Sequence, residues 1–150
     1  MSVMLENKVI PIVNENDAIS VTGLMFTDND EMSGLVATMM GCEKLIILSN
    51  IDGIYNGNPS DPKSEIFKKI DITKDNIEDC IQSSKSSTGR GGMTTKYNIA
   101  RKAAEEGIEV IIANGRRDNI LVDLIKGKDV ISTHFIPSTK KTTRDRKSVV

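Results

Sequence analysis

One histidine and two cysteines are all that this 150-residue chain offers in imidazole or thiolate metal ligands, and their spacing excludes the usual arrangements. Cys42 and Cys80 lie far apart, outside any CxxC or Cys/His cluster, which argues against structural metal and redox chemistry. His134 stands alone in a terminal strand pattern, with no Ser, Cys or acidic partner at suggestive spacing. It therefore reads as structural, and the nucleophilic triads find no support. No apolar run approaches the ~20 residues that cross a bilayer, so no membrane role is expected. The opening "MSVMLENKV" has neither the basic start nor the apolar core of a signal peptide. Free thiols without a targeting signal point to the cytoplasm. An excess of one charge is missing too. Twenty Lys and Arg face 21 Asp and Glu, a formal charge of −1, so no overall field draws nucleic acid or an acidic partner. The basic bias is confined to the end of the chain, where residues 137–150 read as a Ser/Thr-rich, mobile tail; a nucleic-acid arm there is the minor reading.

What is present has the alternation of an α/β domain. "KVIPIV" (Lys8 to Val13) and "KLIILS" (Lys44 to Ser49) are short β-branched and aliphatic runs, suited to strands covered on both faces. Between them, Asp28, Asn29 and Asp30 offer caps and first-turn anions for a helix that carries Met32, Leu35, Val36 and Met39 at helical spacing and stops at Gly41. Met25, Met39 and Met40 read as core filling. Later, Met93, Tyr97, Ala100 and Ala104 mark an amphipathic helix closed by Gly107. "IEVIIAN" follows as a strand, "DNILVDLIKG" as a helix and "ISTHFI" as a last strand. "GIYNGNPSDPKSE" (Gly53 to Glu65) reads as an ordered surface loop, and "IEDCIQ" as a short helix. The expectation is a three-layer αβα sandwich with a mostly parallel sheet and right-handed crossovers, spanning residues 1–136. Ligands of such sheets bind outside the carboxyl ends of the strands.

Two stretches carry candidate chemistry. "STGRGGMTTK" (Ser87 to Lys96) does not fit the Walker A frame, yet Gly89, Gly91 and Gly92 permit an anion-binding nest of backbone N–H groups. Thr94, Thr95 and Lys96 would then lie at the start of the following helix, where free N–H groups and the helix dipole favour negative charge. A flexible Gly/Ser linker explains the same composition equally well. The second stretch, "NENDAISVTGLMFTDND", holds Asn14, Glu15, Asn16, Asp17, Asp28, Asn29 and Asp30. Turn and cap chemistry accounts for any one of them; a binding role requires the two clusters to converge in space.

Taken in order, "PIVNENDAIS", "TDNDEMSGLVA", "LIILSNIDGIYNGNP" and "GRGGMTTKYNIARKAAEEGIEVIIANG" resemble the second half of the glutamate 5-kinase family, within the amino-acid kinase superfamily, from about Lys8 to Phe135. The resemblance implies ATP-dependent phosphorylation of the glutamate side-chain carboxylate, the first step of proline synthesis, with ATP and Mg²⁺ as cofactors. It points to Asp17 and Asn29 as contacts of glutamate and to Asp30 as the organiser of the catalytic lysine, Lys96. For ATP it points to Ser49, Asn50, Arg90, Gly91, Gly92, Met93, Thr94, Thr95 and Lys96, with no metal ligated directly by protein. A carboxylate is already an anion at neutral pH, so such a reaction needs no general base.

Two positions depart from the family's pattern. Asn50 stands where an acidic residue is usual, and Arg90 where a small hydroxyl residue is usual. Members also carry a longer portion ahead of the NEND motif. The resemblance thus implies a domain incomplete at the amino terminus, with low activity alone and an incentive to associate, either with itself or with an amino-terminal half. The competing readings are another phosphotransferase of the superfamily and a non-catalytic nucleotide-binding fragment.

Overall fold

The computed structural model describes residues 1–15, 28–83 and 92–139. The elements run α1 (Ser2–Glu6), α2 (Asn29–Met39), β1 (Lys44–Ser49), β2 (Lys69–Asp71), α3 (Glu78–Ser83), α4 (Gly92–Glu105), β3 (Glu109–Asn114), α5 (Ile120–Ile125) and β4 (Ser132–Ile136). The four strands form one sheet in the order β1-β3-β4-β2.

β1 and β3 pair in parallel along six residues each, from Lys44 opposite Glu109 to Ser49 opposite Asn114. Side chains alternate along β3, so its two faces meet different partners. Val110 and Ile112 join Leu45, Ile47 and the buried side of α4; Ile111 and Ala113 pack against Ile120 and Leu124 of α5. These are the three layers expected from the sequence, with α2 and α4 on one face and α5 on the other. Tyr97 of α4 meets Phe135 of β4 at a tilted ring angle of 48° and 5.9 Å between centroids, which locks that helix to the centre of the sheet.

The helix boundaries follow local chemistry. Asp28 caps α2 by accepting the Glu31 N–H at 2.8 Å. Gly41 and Gly107 take φ of +61° and +86° after α2 and α4, a left-handed turn that costs glycine little.

Several expectations are corrected. Lys8 to Val13 forms no strand: among the described residues it has no ladder partner, and Ile10 and Ile12 are 83% and 96% exposed. A strand needs a neighbour to satisfy its backbone, and β-propensity alone does not supply one. The sheet is mostly parallel as expected, through β1–β3 and β2–β4, but β3–β4 is antiparallel. α5 has six residues, and a helix that rises ~1.5 Å per residue cannot carry the chain back along a whole strand. The chain therefore re-enters beside the end it left, Ser132 opposite Ala113. Met39 is 74% exposed and is not core. α2 packs through its small residues instead: Ala37 is its buried side chain, and a Cβ on Gly34 would come within 2.7 Å of Ile99 in α4. Met25 lies outside the described residues.

Gly53 to Glu65 is indeed an ordered loop, and its base is built into the core. The Ile54 N–H donates to the Thr133 hydroxyl at 2.9 Å, a buried bond between the loop and β4. Gly53 is required there, because a Cβ would meet that same oxygen at 2.5 Å. Asn56 closes the loop, its N–H on the Glu65 carbonyl and its side-chain oxygen accepting the Glu65 N–H, both at 2.9 Å. Thr133→Val keeps the shape but orphans the buried Ile54 N–H, a loss of about 1–3 kcal/mol. Urea unfolding should show that loss for Thr133→Val and markedly less for Thr133→Ser, which retains the hydroxyl.

Candidate active-site cleft

At the carboxyl end of β1 the chain enters the loop that carries Asn50 and Ile51, and beside it α4 begins at Gly92. A cleft of about 110 Å³ opens between them. Ser49 and Asn50 form one side, and Gly92, Met93 and Lys96 of α4 form the other. Its remaining wall is apolar and comes from the loop and α3: Ile51, Ile54, Tyr55, Pro59 and Ile81. The Ser49 hydroxyl donates to Asn50 Oδ1 at 3.4 Å.

α3 is held to α4 by ion pairs. Arg101 contacts Glu78 of α3 and, at 3.3 Å, Glu105 in its own helix. This clamp places Ile81 against the cleft.

Lys96 is the cleft's cation. Its ammonium pairs with the Asp30 carboxylate, and the two side chains are 17% and 29% exposed. Asp30 stands in the first turn of α2, so the pair joins the amino-terminal ends of the two longest helices. A helix start carries a positive dipole end, and an ammonium group beside it makes a setting that stabilises anions. One residue earlier in α2, Asn29 ties in Asn14 and Glu15, the first two residues of the NEND motif. Its side-chain oxygen accepts the Glu15 N–H at 2.8 Å, and its amide donates to Asn14 Oδ1 at 3.1 Å. The two polar clusters of the sequence thus converge.

The expected site residues fall into three groups. Ser49, Asn50, Gly92, Met93 and Lys96 share the cleft, and Asp30 and Asn29 adjoin it through Lys96. Thr95 faces a separate groove between α2 and α4, while Thr94 is half-buried in the same turn and does not line the cleft. Asp17, Arg90 and Gly91 lie outside the described residues.

Nothing in the residue spacing signals the far wall or what holds it. Asp52 Oδ1 accepts Arg117 Nε at 3.0 Å and Asn114 Nδ2 at 3.2 Å, which ties the loop after β1 to the turn after β3. The Arg117 bond lowers the Asp52 carboxyl below its ordinary range, against the opposing effect of burial. Burial, with Asp52 second, raises the neighbouring Tyr55 hydroxyl. Strand pairing also gives His134 the partners it lacks in sequence spacing. Its Nε2 lies 3.0 Å from the Ser132 hydroxyl, and its Nδ1 lies 3.6 Å from Glu109, which is itself paired with Lys44 at 3.4 Å. This chain of contacts crosses β4, β3 and β1 away from the cleft and suits a structural histidine.

Among the described residues no group of three His, Cys, Asp or Glu is placed to hold a metal ion, and no helix is long and apolar enough to cross a membrane.

The amino acid kinase family model matches residues 1–114. A glutamate 5-kinase of Bacteroides thetaiotaomicron is 65% identical over 148 residues, covering 98% of this chain and 41% of that protein. One from Chlorobaculum tepidum is 46% identical over 147 residues, covering 95% of this chain and 39% of its own length. The chain thus spans about two fifths of the length of these curated relatives. Among solved structures, carbamate kinase from Giardia lamblia bound to AMP-PNP superposes with a TM-score of 0.58 at 23% identity, over 87% of this chain and 42% of that one. An isopentenyl phosphate kinase substrate complex gives 0.55 at 18% identity, over 72% and 40%. At these identities the likeness is one of fold.

Because the folded pKa of Asp52 is lowered, its ionised form stabilises the native state at pH values above its unfolded pKa, ~3.9, and that contribution disappears as pH falls through the lower folded value. Below about pH 4, urea midpoints of the wild type should therefore fall faster than those of Asp52→Asn, and the two should approach each other.

Proposed function

This chain belongs to the amino acid kinase family, and we propose that it supplies the nucleotide side and part of the acceptor side of a glutamate 5-kinase. The observation that carries the proposal is the placement of Lys96. It lines the cleft at the end of β1, pairs with Asp30 and stands near the start of α4, so a single cation serves both polar clusters.

The residue types match the task. In this reading the ATP base and ribose occupy the apolar part of the cleft, and the phosphates turn toward Gly92, Met93 and Lys96. Backbone N–H groups at a helix start and a lysine ammonium are the donors a triphosphate requires. Mg²⁺ would arrive with the nucleotide rather than on protein carboxylates, and would supply charge neutralisation for the transferring phosphoryl group.

Asn29, already bonded to Asn14 and to the Glu15 backbone, would hold the acceptor with Asp17. The glutamate side-chain carboxylate oxygen attacks the γ-phosphorus, and the bond to the β–γ bridging oxygen breaks. ADP leaves with the electron pair, and no proton needs to move. Asp30 keeps the Lys96 ammonium in place between nucleotide and acceptor, so two anions can approach without the full cost of their repulsion. The names of the relatives support glutamate as the acceptor, and AMP-PNP in a protein of the same fold supports the nucleotide. Asn50, in place of a usual acid, would weaken one nucleotide contact.

Residues outside this chain would complete the acceptor side. The exposed Ile10, Ile12 and Met39 offer apolar surface for them. Purified chain should thus form little glutamyl phosphate alone, and mixing it with the amino-terminal portion of a glutamate 5-kinase should restore formation, read by hydroxamate trapping. Lys96→Ala should lower the restored rate roughly a hundredfold or more. Strong activity of the chain alone would refute the division of labour, and an undiminished Lys96→Ala rate would refute the site.

A further inference from the structure

The apolar wall of the cleft has a weakness that the rest of the fold does not correct. Ile51, Ile54 and Tyr55 belong to an irregular segment, anchored at its far end by the bond from Ile54 to Thr133 and by Phe67 N–H on the Ile54 carbonyl at 2.8 Å. At its near end, where Asn50 and Ile51 face the cleft, the side-chain anchor is Asp52. That carboxylate is fastened to the turn after β3 by Arg117 and Asn114. The turn is itself well fixed. Asn114 Oδ1 accepts the Arg116 N–H at 2.9 Å, and the Gly115 N–H donates to the Ser49 carbonyl at 2.8 Å. Asp52 thus transfers the rigidity of the β1–β3 ladder to the cleft wall.

We propose that Arg117 is a positioning residue for the base and ribose of the bound nucleotide, acting through Asp52 on the segment from Asn50 to Tyr55. The proposal rests on the nucleotide reading of the cleft. Arg117 touches no cleft surface itself, and its guanidinium is engaged at Nε. Its planar fork fixes the direction of the carboxylate in a way a lysine ammonium does not. Because Lys96 and the start of α4 serve the charged end of the ligand, loss of the latch should be felt at the apolar end alone. Preorganised walls strengthen binding by removing an ordering cost, so a loosened wall lowers affinity with its contact residues unchanged.

The neighbouring Arg116 provides an internal control. Its side chain is exposed, and it makes its bond to Asn114 through the backbone. Arg116→Gln removes the same charge from the same turn without touching Asp52.

The test is a titration of the 150-residue chain by ligand-observed NMR with MgATP and, separately, with magnesium triphosphate. Arg117→Gln should weaken MgATP roughly five- to tenfold and leave triphosphate unchanged, a difference of the order expected for one charge-assisted bond at partial exposure. Arg117→Lys should recover part of the loss, Arg116→Gln should bind both ligands like the wild type, and Lys96→Ala should weaken both. Amide exchange provides a reading without ligand: Arg117→Gln should speed exchange of Ile54 and Asn56 while leaving Ile111 and Ile112 protected. Equal MgATP affinity in the wild type and Arg117→Gln, alongside loss in Lys96→Ala, overturns the latch and leaves the nucleotide reading standing. A parallel loss for triphosphate in Arg117→Gln overturns base positioning. Absent MgATP binding, or binding that Lys96→Ala does not alter, overturns the nucleotide reading and the latch with it.

Discussion

The parallel ladder between β1 and β3 is the constraint on which the rest of the structure depends. Six aligned pairs force both strands to end at the same level, Ser49 beside Asn114. One side of the cleft and what holds it follow from those two ends. The loop after β1 supplies Asn50 and Asp52, and the turn after β3 supplies Asn114 and Arg117. The ladder also sets the core. Val110, Ile111, Ile112 and Ala113 are all essentially inaccessible, which requires a helix on either face. Each aliphatic side chain so buried contributes on the order of 1.5–3 kcal/mol, so the central strand is the least dispensable piece of the domain.

Against that rigid centre, the Lys96–Asp30 pair serves, in the proposed reading, to orient a cation more than to stabilise the fold. A largely buried ion pair adds little net stability, because desolvating the two charges offsets much of their attraction. Its value lies in orientation. An ammonium held by a carboxylate from another helix stays directed at the cleft, whereas a free lysine would sample many rotamers. In the glutamate 5-kinase reading, the same carboxylate links the nucleotide region to the segment that holds Asn29.

The sequence made much of this legible because so many signals are local. Asp28 as a cap, glycines after helices and the Tyr97, Ala100 and Ala104 stripe each depend on neighbours within a few residues, and all stand in the structure as read. Part of the cleft was legible through the order of the motifs, since Ser49, Asn50, Gly92, Met93 and Lys96, expected in one site, line one cleft; the composition of the glycine-rich stretch alone left a linker equally open. What could not be read depends on distant partners. Lys8 to Val13 has strand composition but no neighbour, β4 reverses because α5 is short, and Met39 faces outward because Gly34 and Ala37 offer α4 a closer approach. β2 has three residues, too few for any periodicity. Asp52 and Arg117 are 65 residues apart, and nothing in the spacing of either suggests the other. His134 illustrates the same limit, since its neighbours Ser132 and Glu109 are brought to it by pleat and register.

Among the described residues, all that line the cleft fall in the stretch from Ser49 to Lys96. Asn14 and Asn29 lie upstream of it, and the Lys96–Asp30 pair is the polar joint between the two regions. Such an arrangement separates what can vary from what cannot. Insertions and substitutions upstream can reshape the pocket for a second ligand while the cleft keeps its walls, provided that one carboxylate still meets one ammonium. In the glutamate 5-kinase reading, that joint would let the nucleotide half of the site stay constant while the acceptor half changes.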